Sequence, residues 1–201
     1  MVVGSKKSST TIFRFSQPVK ITAAQFGNVT LPKITGTNKV GLKLTTTLKP
    51  WLTGTTFSYT WLRNGNPIAG VNTSSYQLVA DDLSTVIGLT VCGSKQYYQD
   101  LCVTTTSTGT VSLGVITPVG KPAIAGNTTI GSTLQASPGK WQTGVSFSYQ
   151  WLLDGKPVIG DVASSHKVLK TDKGHSLSVQ VTGTIAGFQS ITKVSSAKRI
   201  P

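Results

Sequence analysis

Apolar and polar residues alternate from 55 to 64, where Phe57, Tyr59 and Trp61 are separated by Ser58 and Thr60. In an extended chain the three aromatics share one face. Period two with aromatics predicts a strand, not a helix. Asn64-Gly65 follows, a pair that accepts positive φ at both central positions of a tight hairpin turn. The pattern therefore predicts a strand, a two-residue turn and a short return strand through Pro67. A proline suits an edge strand, because it has no N–H to give to a ladder. Ninety positions later Phe147, Tyr149, Trp151, Asp154-Gly155 and Pro157 repeat the whole arrangement.

The repetition runs well beyond this stretch. At the same offset Gly36 matches Gly126, Gly41 matches Gly131, Leu44 matches Leu134 and Trp51 matches Trp141. Asp82 matches Asp172, and Gly93 matches Gly183. A gapless register over about eighty residues points to duplicated units, each the size of a small β-sandwich. In the first unit strands are expected at 33–35, 42–48, 55–64, 67–69, 75–79, 86–94 and 100–108. Seven short strands separated by turn signals fit an immunoglobulin-like sandwich better than any α/β plan. Ile87, Leu89 and Val91 share one face, as do Leu177, Val179 and Val181. Phe57, Tyr59, Trp61, Phe147, Tyr149 and Trp151 are the expected core aromatics, with Trp61 and Trp151 as the buried Trp of the third strand.

The expected fold is all-β: two tandem immunoglobulin-like sandwiches, at 32–114 and 120–201, preceded by a strand-like segment at 1–31. The connection "PVGKP" (118–122) carries two prolines and should hold the units end to end with limited bending. Val3-Gly4-Ser5-Lys6 resembles Cys92-Gly93-Ser94-Lys95, so residues 3–15 read either as the last hairpin of an earlier repeat or as a plain N-terminal arm.

Charge narrows the partners. There are 19 Lys and Arg against six acidic residues, a formal charge of +13. All six acids are Asp. Such a balance favours an acidic cell-wall polymer or glycan. Neighbouring repeats of a longer chain are the other expected partner. The lysines are dispersed and no nucleic-acid-binding motif accompanies them, so nucleic acid is not the expected partner. No stretch is long and apolar enough to cross a bilayer, and Met1 to Lys20 lacks the apolar core of a secretory signal. The chain is then mature, a piece of something longer, or exported without such a signal.

Candidate chemistry is sparse. Cys92 and Cys102 fall on the outward face of one hairpin and are expected to pair. A loop this short would gain about 2–3 kcal/mol from closure. Thr182 and Thr192 stand in their places in the second unit, so the bond is an addition to the fold. Pairing implies an oxidising, extracellular or cell-surface setting; two reduced, inert cysteines are the alternative. His166 replaces Tyr76 on a structural strand, and no Cys or His cluster has metal-ligand spacing. Asp82 and Asp172 begin a turn, where a side chain bonds nearby backbone N–H groups. No carboxylate pair is duplicated and no Ser is duplicated with a His. Neither an enzyme, a cofactor nor a metal is expected. Trp51 and Trp141 precede "TG" turns and either cover one end of the core or, with Tyr97, form a ligand surface that stacks on sugar rings.

Gly36, Val40, Gly41, Leu44, Trp51, Gly54, Phe57, Tyr59, Trp61, Leu62, Gly65, Pro67, Ile68 and Gly70 together resemble the tandem bacterial immunoglobulin-like repeat of large secreted and surface-attached proteins. Val181 to Gly183 and then Gly187-Phe188 resemble its end. The first unit departs there: Cys92 stands for the usual Thr, and Tyr97-Tyr98 for Gly-aromatic. The resemblance implies a non-catalytic module that spaces, displays or adheres. A carbohydrate-binding appendage and a virion-surface immunoglobulin-like protein are the alternatives.

Overall fold

Alternating side chains and Gly-containing turns give a chain of strands in the computed structural model, which describes residues 16–201. The expected hairpin remnant at 3–15 lies outside the described residues. In the first repeat the strands are β1 (Lys33–Thr35), β2 (Lys43–Thr47), β3 (Thr56–Arg63), β4 (Asn66–Pro67), β5 (Ser75–Gln77), β6 (Val86–Ser94) and β7 (Leu101–Thr110). β8 (Gly114–Val115) lies in the connection. The second repeat has β9 (Ala123–Ala125), β10 (Thr133–Ser137), β11 (Ser146–Leu153), β12 (Lys156–Pro157) and β13 (Ser165–Lys167). It continues with β14 (Ser176–Thr184), β15 (Phe188–Gln189), β16 (Ile191–Val194) and β17 (Lys198–Arg199).

Each repeat forms two small antiparallel sheets. The orders are β1-β2-β5 and β4-β3-β6-β7 in the first, and β13-β10-β9 and β12-β11-β14-β16 in the second, where β17 also pairs with β14. Each pair of sheets shares one apolar cluster. Leu44 of β2 and Tyr76 of β5 meet Trp61 of β3 and Ile87, Leu89 and Val91 of β6. Leu134, Trp151, Leu177, Val179 and Val181 repeat this in the second cluster. Both core tryptophans are fully buried, and each satisfies its indole N–H. Trp61 donates to the Thr73 carbonyl at 2.9 Å and Trp151 to the Ala163 carbonyl at 3.0 Å.

The tight turns have the expected backbone. Asn64 and Gly65 sit at φ 47° and 83°, and Asp154 and Gly155 at 46° and 79°. Pro67 and Pro157 lie on the edge strands β4 and β12. The turn side chains also tie the hairpin to the following strand: Asn64 Oδ1 accepts the Val86 N–H at 2.9 Å, and Asp154 Oδ1 accepts the Ser176 N–H at 2.8 Å.

Two features depart from the expected layout. The return strand is shorter than 67–69, because Ile68 leaves the ladder after its N–H bonds the Trp61 carbonyl. The units also share more than a linker. β8 pairs in parallel with β15, and Phe188 of the second repeat packs against the first repeat's cluster. The N-terminal segment repeats the first half of this arrangement. The Ala24 N–H bonds the Tyr97 carbonyl at 2.9 Å, as the Gly114 N–H bonds the Gly187 carbonyl at 2.9 Å. No helix among the described residues is long and apolar enough to cross a membrane.

Candidate functional site

The first repeat ends at one side in the β6–β7 hairpin. Cys92 and Cys102 face each other across it and form a disulfide, with Cα atoms 4.0 Å apart. Cys92 is half-buried and Cys102 exposed, while the neighbouring Val91 points into the core. The matching place in the second repeat holds a hydroxyl pair, Thr182 and Thr192, with Oγ atoms 2.8 Å apart. Beyond the disulfide the hairpin tip carries Tyr97, 80% exposed and at φ +67°. A bulky residue in that region is an outlier. Tyr98 beside it packs on Phe26 at 5.5 Å between ring centroids, with the Lys95 ammonium 5.1 Å from its ring centre.

The two loop tryptophans sit beneath these hairpins. Trp51 meets Phe57 edge-on at 5.3 Å and Phe26 at 5.6 Å. It lies so close to Gly93 that an added Cβ would stand 2.5 Å from its ring. Its indole N–H is buried and finds no acceptor among the described residues. Trp141 is only 9% exposed, packs on Phe147 at 5.4 Å, and donates to the Pro138 carbonyl at 2.7 Å. Added Cβ atoms at Gly120 and Gly183 would stand 2.4 and 2.6 Å from its ring. Packing of this kind uses the ring faces that a sugar would need, so Tyr97 is the aromatic of the three that faces solvent. The duplicated glycines at 93 and 183 are the sequence signal for it.

A second constellation is buried between the sheets. Asp82, 0% exposed, accepts from Arg63 Nε at 2.8 Å, from the Tyr76 hydroxyl at 2.8 Å and from the Val79 N–H at 2.8 Å. Burial, and then the bond to Asp82, raises the Tyr76 phenol to about 12. In the second repeat Leu153 replaces Arg63 and Asp161 replaces Val71. There His166 bonds Asp172 through Nε2 at 2.9 Å and Asp161 through Nδ1, while the Leu169 N–H bonds Asp172 at 2.7 Å. Burial alone would lower the His166 pKa, but the bonds to Asp172 and Asp161 outweigh it and the net shift is upward. On the surface, the bond to His175 and then the Ser176 N–H lower the Asp154 pKa. Thus Asp82, Asp154, Asp161 and Asp172 are all engaged with cations or imidazoles. Sequence reading found the turn role of Asp82 and Asp172 but missed these partners. Its available signal was that positions 63, 71 and 76 change together to 153, 161 and 166.

The third constellation is the junction. The Phe188 ring lies over Gly41 and Gly114, where added Cβ atoms would stand 2.7 and 2.5 Å from it. Gly187 fits against the base of the first repeat: an added Cβ would stand 2.8 Å from Ala80 Cα and 2.9 Å from a Val40 methyl. Beside the plug runs a groove of about 350 Å³, lined by Lys39, Leu42, Val115, Thr117 and Gln142 among others. Gln142 accepts the Thr117 N–H at 2.9 Å and so ties the connection to the second repeat. Among the described residues no group of three or more His, Cys, Asp or Glu could hold a metal ion.

No known family profile matches the chain, and no curated protein matches it. Among solved structures it is similar to a Ca2+-stabilised adhesin described as helping an Antarctic bacterium reach out and bind ice. That match has 15% identity and a TM-score of 0.35 over 79% of this chain. The chain spans 43% of the length of that adhesin chain. It is also similar to the tandem Ig repeats of Dlar, at 14% identity and a TM-score of 0.24, covering 83% of this chain and 94% of that one.

Proposed function

We propose that each repeat is an immunoglobulin-like sandwich, with domains at 32–114 and 120–201, and that the chain is a non-catalytic spacer or adhesion module of a bacterial surface or secreted protein. One observation carries this reading. The apolar cores match position by position, from Leu44, Trp61 and Val91 to Leu134, Trp151 and Val181, while the side chains that partner the duplicated Asp82 and Asp172 differ, Arg63 and Tyr76 in one repeat and His166 in the other. A repeat array needs its fold copied and its unit-to-unit contact kept, and nothing else. The seated Phe188 supplies such a contact. The disulfide agrees with an extracellular or cell-surface setting. The +13 charge, with five of six Asp already engaged, leaves a cationic surface suited to an acidic cell-wall polymer. Protease shaving of intact cells that carry the native gene tests the setting: release of folded fragments is expected, and full protection with a purely cytosolic pool contradicts it.

A second reading, glycan recognition, is favoured by the exposure and strained backbone of Tyr97 on a disulfide-braced tip. A glycan array comparing the chain with Tyr97→Ala tests it. A ligand retained by the first and lost by the second supports it, and no retained ligand removes it.

A further inference from the structure

The same surface exists twice in this chain and is filled once. At the base of the first repeat Val40 is 2% exposed beneath Gly187 and Phe188. At the matching base of the second repeat Ile130 is 47% exposed, and open space faces Gly131 among the described residues. The floor beneath is built alike. The Ser84 N–H bonds the Val111 carbonyl in one, and the Gly174 N–H bonds the Ile200 carbonyl in the other. The Gly41 N–H bonds the Leu78 carbonyl, and the Gly131 N–H bonds the Val168 carbonyl. What differs is the plug.

We propose that the base of the second repeat is a docking site for the Gly–aromatic hairpin of a further immunoglobulin-like repeat, seated as Gly187-Phe188 seats on the first. The proposal rests on the tandem-sandwich reading above. Continuity with the interface already present in the chain identifies the occupant: an aromatic ring laid over Gly131 and a glycine against Ile130.

The fit also says which hairpin is refused. Tyr97 holds the place of Gly187. A side chain there would run into the Cα of Ala80 or its counterpart, which is backbone and cannot swing aside. The first repeat's own tip is therefore not a plug of this geometry, and copies of the chain do not stack tip to base. The base of the second repeat leaves the array open in one direction. The exposed Lys170 replaces Ala80 on the rim, where its flexible stem can move away from an incoming hairpin.

The test appends a second copy of residues 113–201 after Pro201, which follows Ile200 as Ser112 follows Val111. Isoleucine-methyl and glycine-amide NMR signals are compared with those of the chain alone. Phe188→Ala in the chain alone calibrates the ring-current shift at Gly41. In the extended chain, Ile130 and Gly131 should move upfield by a shift of that size. The appended copy carrying Gly187→Tyr should leave them in place. Three results overturn the proposal: unmoved Ile130 and Gly131 beside a folded appended repeat, equal docking by the Gly187→Tyr copy, or movement of both signals with concentration in the unextended chain. If the appended repeat does not fold, Gly187→Tyr in the chain alone gives the answer. Loss of the Phe188 shift at Gly41 with both repeats folded supports the stated fit, and its retention refutes it. A purely intracellular location would sink the proposed function and leave these shifts unchanged.

Discussion

His166 and Tyr76 occupy the same strand position but balance a buried carboxylate in opposite ways. In the first repeat the cation is Arg63, whose charge does not titrate in the useful range. Arg63→Leu, which copies Leu153, removes it and leaves Asp82 buried beside a phenol. Loss of one partner of a buried pair costs about 3 kcal/mol, so the urea midpoint of the first repeat should fall while that of the second holds. In the second repeat His166 supplies the cation, because an imidazolium donates from both nitrogens and each faces a carboxylate. Its folded pKa lies above the ordinary imidazole value of about 6.5. The stabilisation is therefore full below that value and is lost as pH rises through the raised one. Thermal unfolding of the second repeat should shift to lower temperature over that window, and His166→Gln should flatten the dependence. An NMR titration of His166 falling at or below 6.5 would contradict it.

At the scale of elements, the strands were legible because aromatic spacing and Gly turns are local signals. β3 and β11, with their Asn-Gly and Asp-Gly turns, follow directly from residues 57–65 and 147–155. The Cys92–Cys102 hairpin was legible from strand parity alone. Phe188 was not, because its strand pattern does not reveal that it turns away from its own core to cover Gly41. The burial of Trp141 was one of two readings the sequence offered, and the glycines at 120 and 183, distant in the chain, decide between them. The disulfide closes its loop on the first repeat only, so reduction should cost that repeat about 2–3 kcal/mol. The second, held there by Thr182 and Thr192, should be unaffected. Calorimetry with and without reductant resolves the two transitions, and a joint shift would contradict a local brace.

In the whole molecule two like cores are coupled through one aromatic plug. Trp61→Ala and Trp151→Ala each remove a fully buried indole, at about 3–5 kcal/mol, a large share of a small domain's stability. The effects should be unequal across the junction. Unfolding the second repeat withdraws Phe188 from Val40 and Gly41, so Trp151→Ala should also weaken the first by about 1–2 kcal/mol. Denaturant melts followed by NMR in each repeat read this, and no effect of Trp151→Ala on the first repeat would deny the coupling. The most direct measurement is the relative alignment of the repeats from residual dipolar couplings, in the chain and in Phe188→Ala. One alignment tensor should describe both repeats in the chain, and two should be needed once the plug is removed. Two independent tensors in the unaltered chain would contradict the account.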